Sequence, residues 1–210
     1  MLVHQVGVVK KMHAENTIVI ATHNPGKFKE LSKRLSPFVP TCSLNDLGIT
    51  QDVEETGVTF EENAALKARH YADQTKMITL SDDGGLCIDA LYGAPGVYSS
   101  RVAGKGATDE QKIAKVLELM EQVPDEKRTA SFNVVLAIAF PKDGVKYYKG
   151  ILSGTITREA RGALVKGLPY KTIFFLPEYG KTLAELDEQG IKFTDHRDKA
   201  IAALLEDLKG

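Results

Sequence analysis

What this chain lacks narrows its chemistry more than its bulk composition does. It has only two cysteines, Cys42 and Cys87, in no C-x-x-C pair and with few histidines nearby. That argues against a zinc pattern and a disulfide scaffold, and for a reducing, cytoplasmic setting. No apolar run approaches the roughly 20 residues needed to span a bilayer. The opening residues are apolar, but their charges, Lys10 and Lys11, follow the apolar part. A secretory leader carries its charge first, so residues 1–16 read as a short N-terminal extension, an added strand or a disordered tail. Charge of one sign is missing too: 27 Lys and Arg face 28 Asp and Glu, for a net −1. No overall field steers the chain onto a nucleic acid polymer or a membrane, so an anionic ligand must be held by local cations. Internal repeats, low-complexity tracts and clear linkers are absent.

What is present is an ordinary globular composition, 43% hydrophobic and 26% charged over 210 residues. That length buries a core without staples. Thr17 to Thr22 is a β-branched run and reads as a buried strand. A Gly/Pro turn follows, then a helix through Leu35. Thr59 to Thr75 has helical spacing. Met77 to Ser81 reads as a short strand ending at Asp82-Asp83. Asp109 to Gln122 is an amphipathic helix closed by Pro124. Ala130 to Phe140 and Val145 to Thr157 form a hairpin around Pro141-Lys142-Asp143-Gly144. Ile173 to Leu176 is a strand, and Lys199 to Leu208 a terminal helix. Strands and helices mix throughout, which makes the class α/β or α+β, with 17–210 as a single domain.

Three short segments carry chemistry. In Thr22-His23-Asn24-Pro25-Gly26-Lys27 the chain turns from strand to helix. Turn and helix amides converge there, and Lys27 adds a charge, which suits a phosphate. The bland alternative is a βα turn with a solvated lysine, and the spacing is too short for a Walker loop. Glu55 precedes Thr56-Gly57, a chain reversal. Asp82-Asp83 is followed by Gly84-Gly85. Adjacent strand residues face opposite ways, so one aspartate can meet a ligand while the other bonds backbone. Mg²⁺ favours one or two carboxylates plus phosphate oxygens, and Glu55 with Asp83 meets that need. The alternative is that Asp-Asp-Gly only makes a turn. Lys67 could reach the same phosphates or simply be a solvated surface lysine. His70 reads as a surface or packing residue.

Taken in order, these segments resemble the inosine triphosphate pyrophosphatase family. The resemblance extends over Ala94-Pro95-Gly96-Val97-Tyr98-Ser99-Ser100-Arg101, Pro177-Glu178-Tyr179-Gly180-Lys181-Thr182 and His196-Arg197. It covers residue 17 to the C-terminus. It implies an elongated, two-lobed α/β fold with a central mixed β-sheet flanked by helices and a cleft between lobes. It implies a homodimer and Mg²⁺-dependent hydrolysis (Mn²⁺ is a substitute) of deaminated-purine nucleoside triphosphates, such as ITP, dITP and XTP, to monophosphate and pyrophosphate. Carried over by position, Thr22, His23, Asn24, Gly26, Lys27 and Lys67 hold phosphate. Glu55 and Asp83 sit at the metal, and Asp83 is the catalytic base. Gly84, Leu168, Tyr170, Lys171, Lys192, His196 and Arg197 meet the rest of the nucleotide.

Departures from the family cluster at the base end. Gly84 replaces a serine, a lost hydrogen bond of roughly 1.5–3 kcal/mol if it met a charged group. Leu168 replaces an aromatic ring whose stacking is worth roughly 1–3 kcal/mol by analogy. Pro169 replaces a glycine, and Lys171 an aspartate, reversing a charge. Residues 163–166 form a segment about two residues longer than the family loop. The family's lysine position falls on Ile191, with Lys192 next. These changes read as altered base recognition. The competing expectations are a nucleotide-binding homologue with little turnover, and a structural dimer.

Overall fold

The computed structural model describes residues 17–141 and 143–208; the N-terminal extension lies outside them. The strands are β1 (Ile18–Ile20), β2 (Thr41–Ser43), β3 (Thr79–Ile88), β4 (Thr129–Ala139), β5 (Val145–Ile156), β6 (Phe174–Leu176) and β7 (Lys181–Thr182). The helices are α1 (Pro25–Leu35), α2 (Phe60–Thr75), α3 (Asp109–Leu119), α4 (Leu183–Glu188) and α5 (His196–Asp207). The strands hydrogen-bond in the order β2-β1-β3-β4-β5-β6-β7. β1 runs parallel to β2 and β3, whereas β6 is antiparallel to β5 and β7. The sheet is therefore mixed and the class α/β. No helix among the described residues is long and apolar enough to cross a membrane.

The expected single domain divides into two compact units. The first holds the described residues up to Asp83, with Val134–Gly150 and those from Arg197 on. The second is Gly84–Asn133 with Ile151–His196.

The part of β4 in the first unit, from Val134 to Ala139, is apolar at every position because both its faces are covered. Val134, Leu136 and Ile138 pack with Leu31 and Leu35 of α1 and with Ala200, Ile201 and Leu204 of α5. The alternate residues Val135, Ala137 and Ala139 meet Ala64, Ala68 and Ala72 of α2. The period of two along the strand thus assigns α1 and α5 to one face and α2 to the other. Leu136 is fully buried, and truncating such a residue to alanine costs about 2–5 kcal/mol.

The second unit has its own core, in which Leu86, Ile88, Leu152, Ile156, Phe174 and Leu176 meet Ile113, Val116, Leu183 and Leu186. Gly154 makes room for the Phe174 ring: a Cβ there would stand 2.5 Å from its Cε1. Arg128 is buried, and its guanidinium donates to the carbonyls of Met120, Val123, Ile156 and Thr157. That satisfies a charge that burial alone would make costly.

Several boundaries differ from the sequence reading, and one matters for function. β3 does not stop at Asp82-Asp83 but runs ten residues through Gly84-Gly85. Gly85 is needed inside the strand because a Cβ would collide with Ser99 and the Gly96 carbonyl. The glycines therefore mark close packing, not a turn. The helix read from Lys199 starts at His196.

Candidate active site

The first unit assembles its charged residues at one strand end. β1 and β3 are parallel neighbours, with Ile20 opposite Leu80. β1 then stops, while β3 continues through Ser81, Asp82 and Asp83. The 21–27 loop leaves β1 at that point. In parallel α/β sheets this is where ligands bind, beyond the carboxyl ends of the strands.

Asn24 is the N-cap of α1: its side-chain oxygen accepts from Gly26 N at 2.9 Å and Lys27 N at 3.1 Å. Asn24 N in turn donates to Thr22 Oγ1 at 3.1 Å. This corrects the expectation that these amides stand free for an anion, since the cap already uses them. The contribution left to the loop is its shape and the Lys27 ammonium. His23 turns away to local partners: its Nε2 lies 3.1 Å from the Gln51 carbonyl and 3.4 Å from the Tyr71 hydroxyl.

Lys67 is not the solvated lysine that its spacing allowed. It is 7% exposed, and its Nζ donates to Glu55 Oε1 at 2.6 Å and to the Asp82 carbonyl at 2.8 Å. Asp83 Oδ1 is 3.8 Å away. Glu55 and Asp83 therefore meet at one ammonium. The Glu55 loop is pinned on both sides, by Tyr71 Oη donating to the Gln51 carbonyl and by Gly57 N donating to Asn63 Oδ1 at 2.8 Å. Gly57 has no room for a side chain, because a Cβ would sit 2.6 Å from Glu62 Cβ.

The two aspartates divide along the strand pleat. Asp83 faces α2 and Lys67. Asp82 faces α1 and α5, where Lys27 Nζ is 3.3 Å from its Oδ1 and Arg197 Nη2 donates to its Oδ2 at 3.2 Å. This corrects the expectation that the second aspartate would bond backbone. Arg197 also donates to Glu30 Oε2 at 3.1 Å.

Electrostatics follow from these contacts. Burial opposes ionisation of Asp82, but Lys27, Arg197 and Lys67 outweigh it and hold its carboxyl well below the usual range. Burial pushes Asp83 up, and Glu55 and Asp82 add to that, while Lys67 and Lys27 pull it down; the balance is a raised value. Burial lowers Lys67, but Asp83, Glu55 and Asp82 more than compensate and raise it. Among the described contacts Glu30, Glu55, Asp82 and Asp83 meet Lys27, Lys67 and Arg197 in one network.

The base-end residues all belong to the second unit except Arg197. Tyr170 is a core residue, and its hydroxyl donates to the Ser99 carbonyl at 2.5 Å. Its hydroxyl is therefore already used within the second unit. Lys171 pairs with Asp187 at 3.0 Å, so the charge it introduces is answered within the protein. Leu168 is half-buried, and Gly84 lies within β3. Residues 191–195 are coil, with Ile191 packed on the core and Lys192 exposed. The loop 163–166 is exposed and is fastened at its ends: Ala163 N donates to Glu188 Oε1 at 2.7 Å, and Gly167 N to Asp109 Oδ2 at 2.6 Å. His196 is buried and stacks on Phe132, with ring centroids 5.2 Å apart and planes at 13°.

Glu30, Asn63 and Phe132 were not singled out from sequence. Glu30 had a signal, since it sits one helical turn beyond Lys27. Phe132 had none, because only the fold brings it to His196.

An α/β sheet with acids and lysines gathered beside the loop after its first strand has close relatives. A family model described as the Ham1 family matches residues 18–207, and the chain belongs to that family. It is 44% identical over 195 residues to a dITP/XTP pyrophosphatase of Escherichia coli K12, covering 91% of this chain and 98% of that protein. It is 42% identical over 192 residues to a protein of the same name from Listeria monocytogenes, covering 91% and 94%. A solved Ham1 protein of Coxiella burnetii superposes with a TM-score of 0.79 at 42% identity, covering 90% of this chain and 96% of the other.

Proposed function

We propose that this chain is a hydrolase of nucleoside triphosphates, of the deaminated-purine class (ITP, dITP, XTP), releasing pyrophosphate and a nucleoside monophosphate. The relatives named above carry the substrate class. The observation that carries the site is the meeting of Glu55 and Asp83 at buried Lys67, beside Lys27.

A divalent cation, Mg²⁺ with Mn²⁺ as substitute, belongs to this reading. Its residues are Glu55 and Asp83. Two features support the fit. Asp83 Oδ2 is buried and accepts no hydrogen bond from the described residues, a costly state that a cation relieves. Glu55 Oε1 also lies on the same ammonium as Asp83, so the two carboxylates are already brought together. Among the described residues no group of three or more His, Cys, Asp or Glu is arranged to hold a metal. That suits an ion completed by phosphate oxygens and water better than an all-protein cage. Such an ion, when bound, neutralises charge on the leaving pyrophosphate.

The chain's own groups do the rest. Lys27 and Lys67 counter the phosphate charge as it develops. The Asp83 carboxylate accepts the proton of the attacking water at the oxygen that the cation does not take, and its raised pKa brings it nearer to a general base working at neutral pH. Base recognition falls to residues of the second unit, with a preference shifted from the family's by Leu168, Pro169 and Lys171. A homodimer and a cytoplasmic setting complete the proposal, and light scattering tests the former.

The deciding experiment is pyrophosphate release from purine and pyrimidine triphosphates with Mg²⁺ or Mn²⁺ at alkaline pH. Turnover is expected, highest with a deaminated purine. No release from any substrate, with nucleotide affinity retained in calorimetry, would favour the binding homologue instead.

A further inference from the structure

The acid before Asp83 has no ligand-facing work to do. Asp82 has a side chain with 0% exposure, so nothing arriving from solvent can touch it. Yet it is shared between two cations, Lys27 on α1 at 3.3 Å and Arg197 on α5 at 3.2 Å. Lys27 differs from it in one respect: 19% of its side chain is exposed, so its ammonium can meet an incoming anion. Glu30, one turn further along α1, takes the other side of the Arg197 guanidinium. The first turn of α1, the strand β3 and the start of α5 are thereby joined through one buried carboxylate.

We propose that Asp82 is a positioning residue for phosphate binding: it holds the Lys27 ammonium, against Arg197, at the place where the phosphate chain is received. This rests on the reading of the 22–27 loop and Lys27 as the phosphate end. Lysine has a flexible four-carbon stem and considerable rotamer freedom. An ammonium fixed before the ligand arrives loses less entropy on binding than one that must be ordered. The strand pleat makes the arrangement possible with two adjacent aspartates: one points to the lysine of α2, its neighbour to the opposite face.

The test is a double-mutant cycle on the dissociation constant of inorganic tripolyphosphate, measured by calorimetry on the full chain. Lys27→Met is expected to weaken binding about tenfold in the native background, the size of a lost charge-assisted hydrogen bond. In an Asp82→Asn background that factor shrinks below about threefold, because the unheld lysine no longer contributes fully. A factor of threefold or more in that background, or no effect of Lys27→Met in the native chain, overturns the proposal. A role for Asp82 only in folding leaves the Lys27 factor unchanged. The hold is also measurable without touching Asp82: the NMR order parameter of the Lys27 ammonium, identified by its loss in Lys27→Met, is expected to be high before any ligand is added. Motion equal to that of exposed Lys29 overturns the proposal. Neither measurement needs turnover. Hydrolysis without coupling therefore removes only the positioning role, and coupling without hydrolysis removes only the proposed activity.

Discussion

The phosphate-end and base-end residues use their side chains in opposite ways. In the first unit Lys27, Glu30, Glu55, Lys67, Asp82, Asp83 and Arg197 answer one another in a single charge network. In the second, Tyr170 is tied to the Ser99 carbonyl and Lys171 to Asp187, and His196 lies on Phe132. A change in the network reaches several partners at once. At the base end the contacts described are separate pairs rather than one network. The contrast says which set of residues tolerates rewriting, and it can be broken by mutation.

The largest effect is expected at Asp83. Asp83→Asn should lower kcat/KM by about 10³-fold, within the range for a lost general base, while calorimetry still detects nucleotide. Near-native turnover would remove Asp83 from the mechanism. Next comes Lys67→Met. It strands Glu55 and Asp83 beside each other without their cation, and should cost about 3 kcal/mol in urea unfolding as well as most activity. Because Lys67 is raised above its ordinary 10.5, its contribution is fully present below that pH and is lost only as pH rises through the folded value. The penalty should therefore persist across neutral pH and fade in strong alkali.

Asp82 gives a pH signature of opposite sense. Its folded pKa is depressed below 3.8, so its stabilisation is present above pH 3.8 and lost as pH falls through the folded value. The stability gap between the native chain and Asp82→Asn should be widest at neutral pH and narrow below 3.8 in acid-titrated unfolding curves. A gap independent of pH would mean that packing, not charge, sets the cost.

At the base end the effects shrink. Tyr170→Phe leaves the Ser99 carbonyl unpaired and should cost about 1–2 kcal/mol in thermal unfolding, with kcat/KM close to native. Lys171→Ala should cost less than about 1 kcal/mol, since Asp187 is solvent-exposed and regains water. Its informative readout is the ranking of triphosphates in the release assay. An unchanged ranking would separate Lys171 from base preference.

Sequence revealed the parts whose local pattern matches their tertiary role. The β-branched run before Thr22, the spacing of Ala64, Ala68 and Tyr71, and the turn signal between the runs 130–140 and 145–157 all foretold their elements. The length of β3 was hidden because Gly84-Gly85 signals a turn until Ser99 is known to press against it. α4 was missed, although Thr182 and Glu185 form a capping box that spells its start. Glu55 and Asp83 were legible as acids near turns, but that they share one ammonium was not. Nor was the burial of Lys67, since helical spacing does not tell which neighbours a fold will supply.

The doubly fastened loop between Ala163 and Gly167 has a consequence for descent. Its anchors are backbone amides, which any residue but proline provides, and the acids that receive them lie on other elements, Asp109 on α3 and Glu188 on α4. The four side chains at 163–166 are exposed and can be exchanged or respelled while the fastening stays intact. Lineages can therefore experiment there at little cost to folding, leaving the charge network of the other unit untouched.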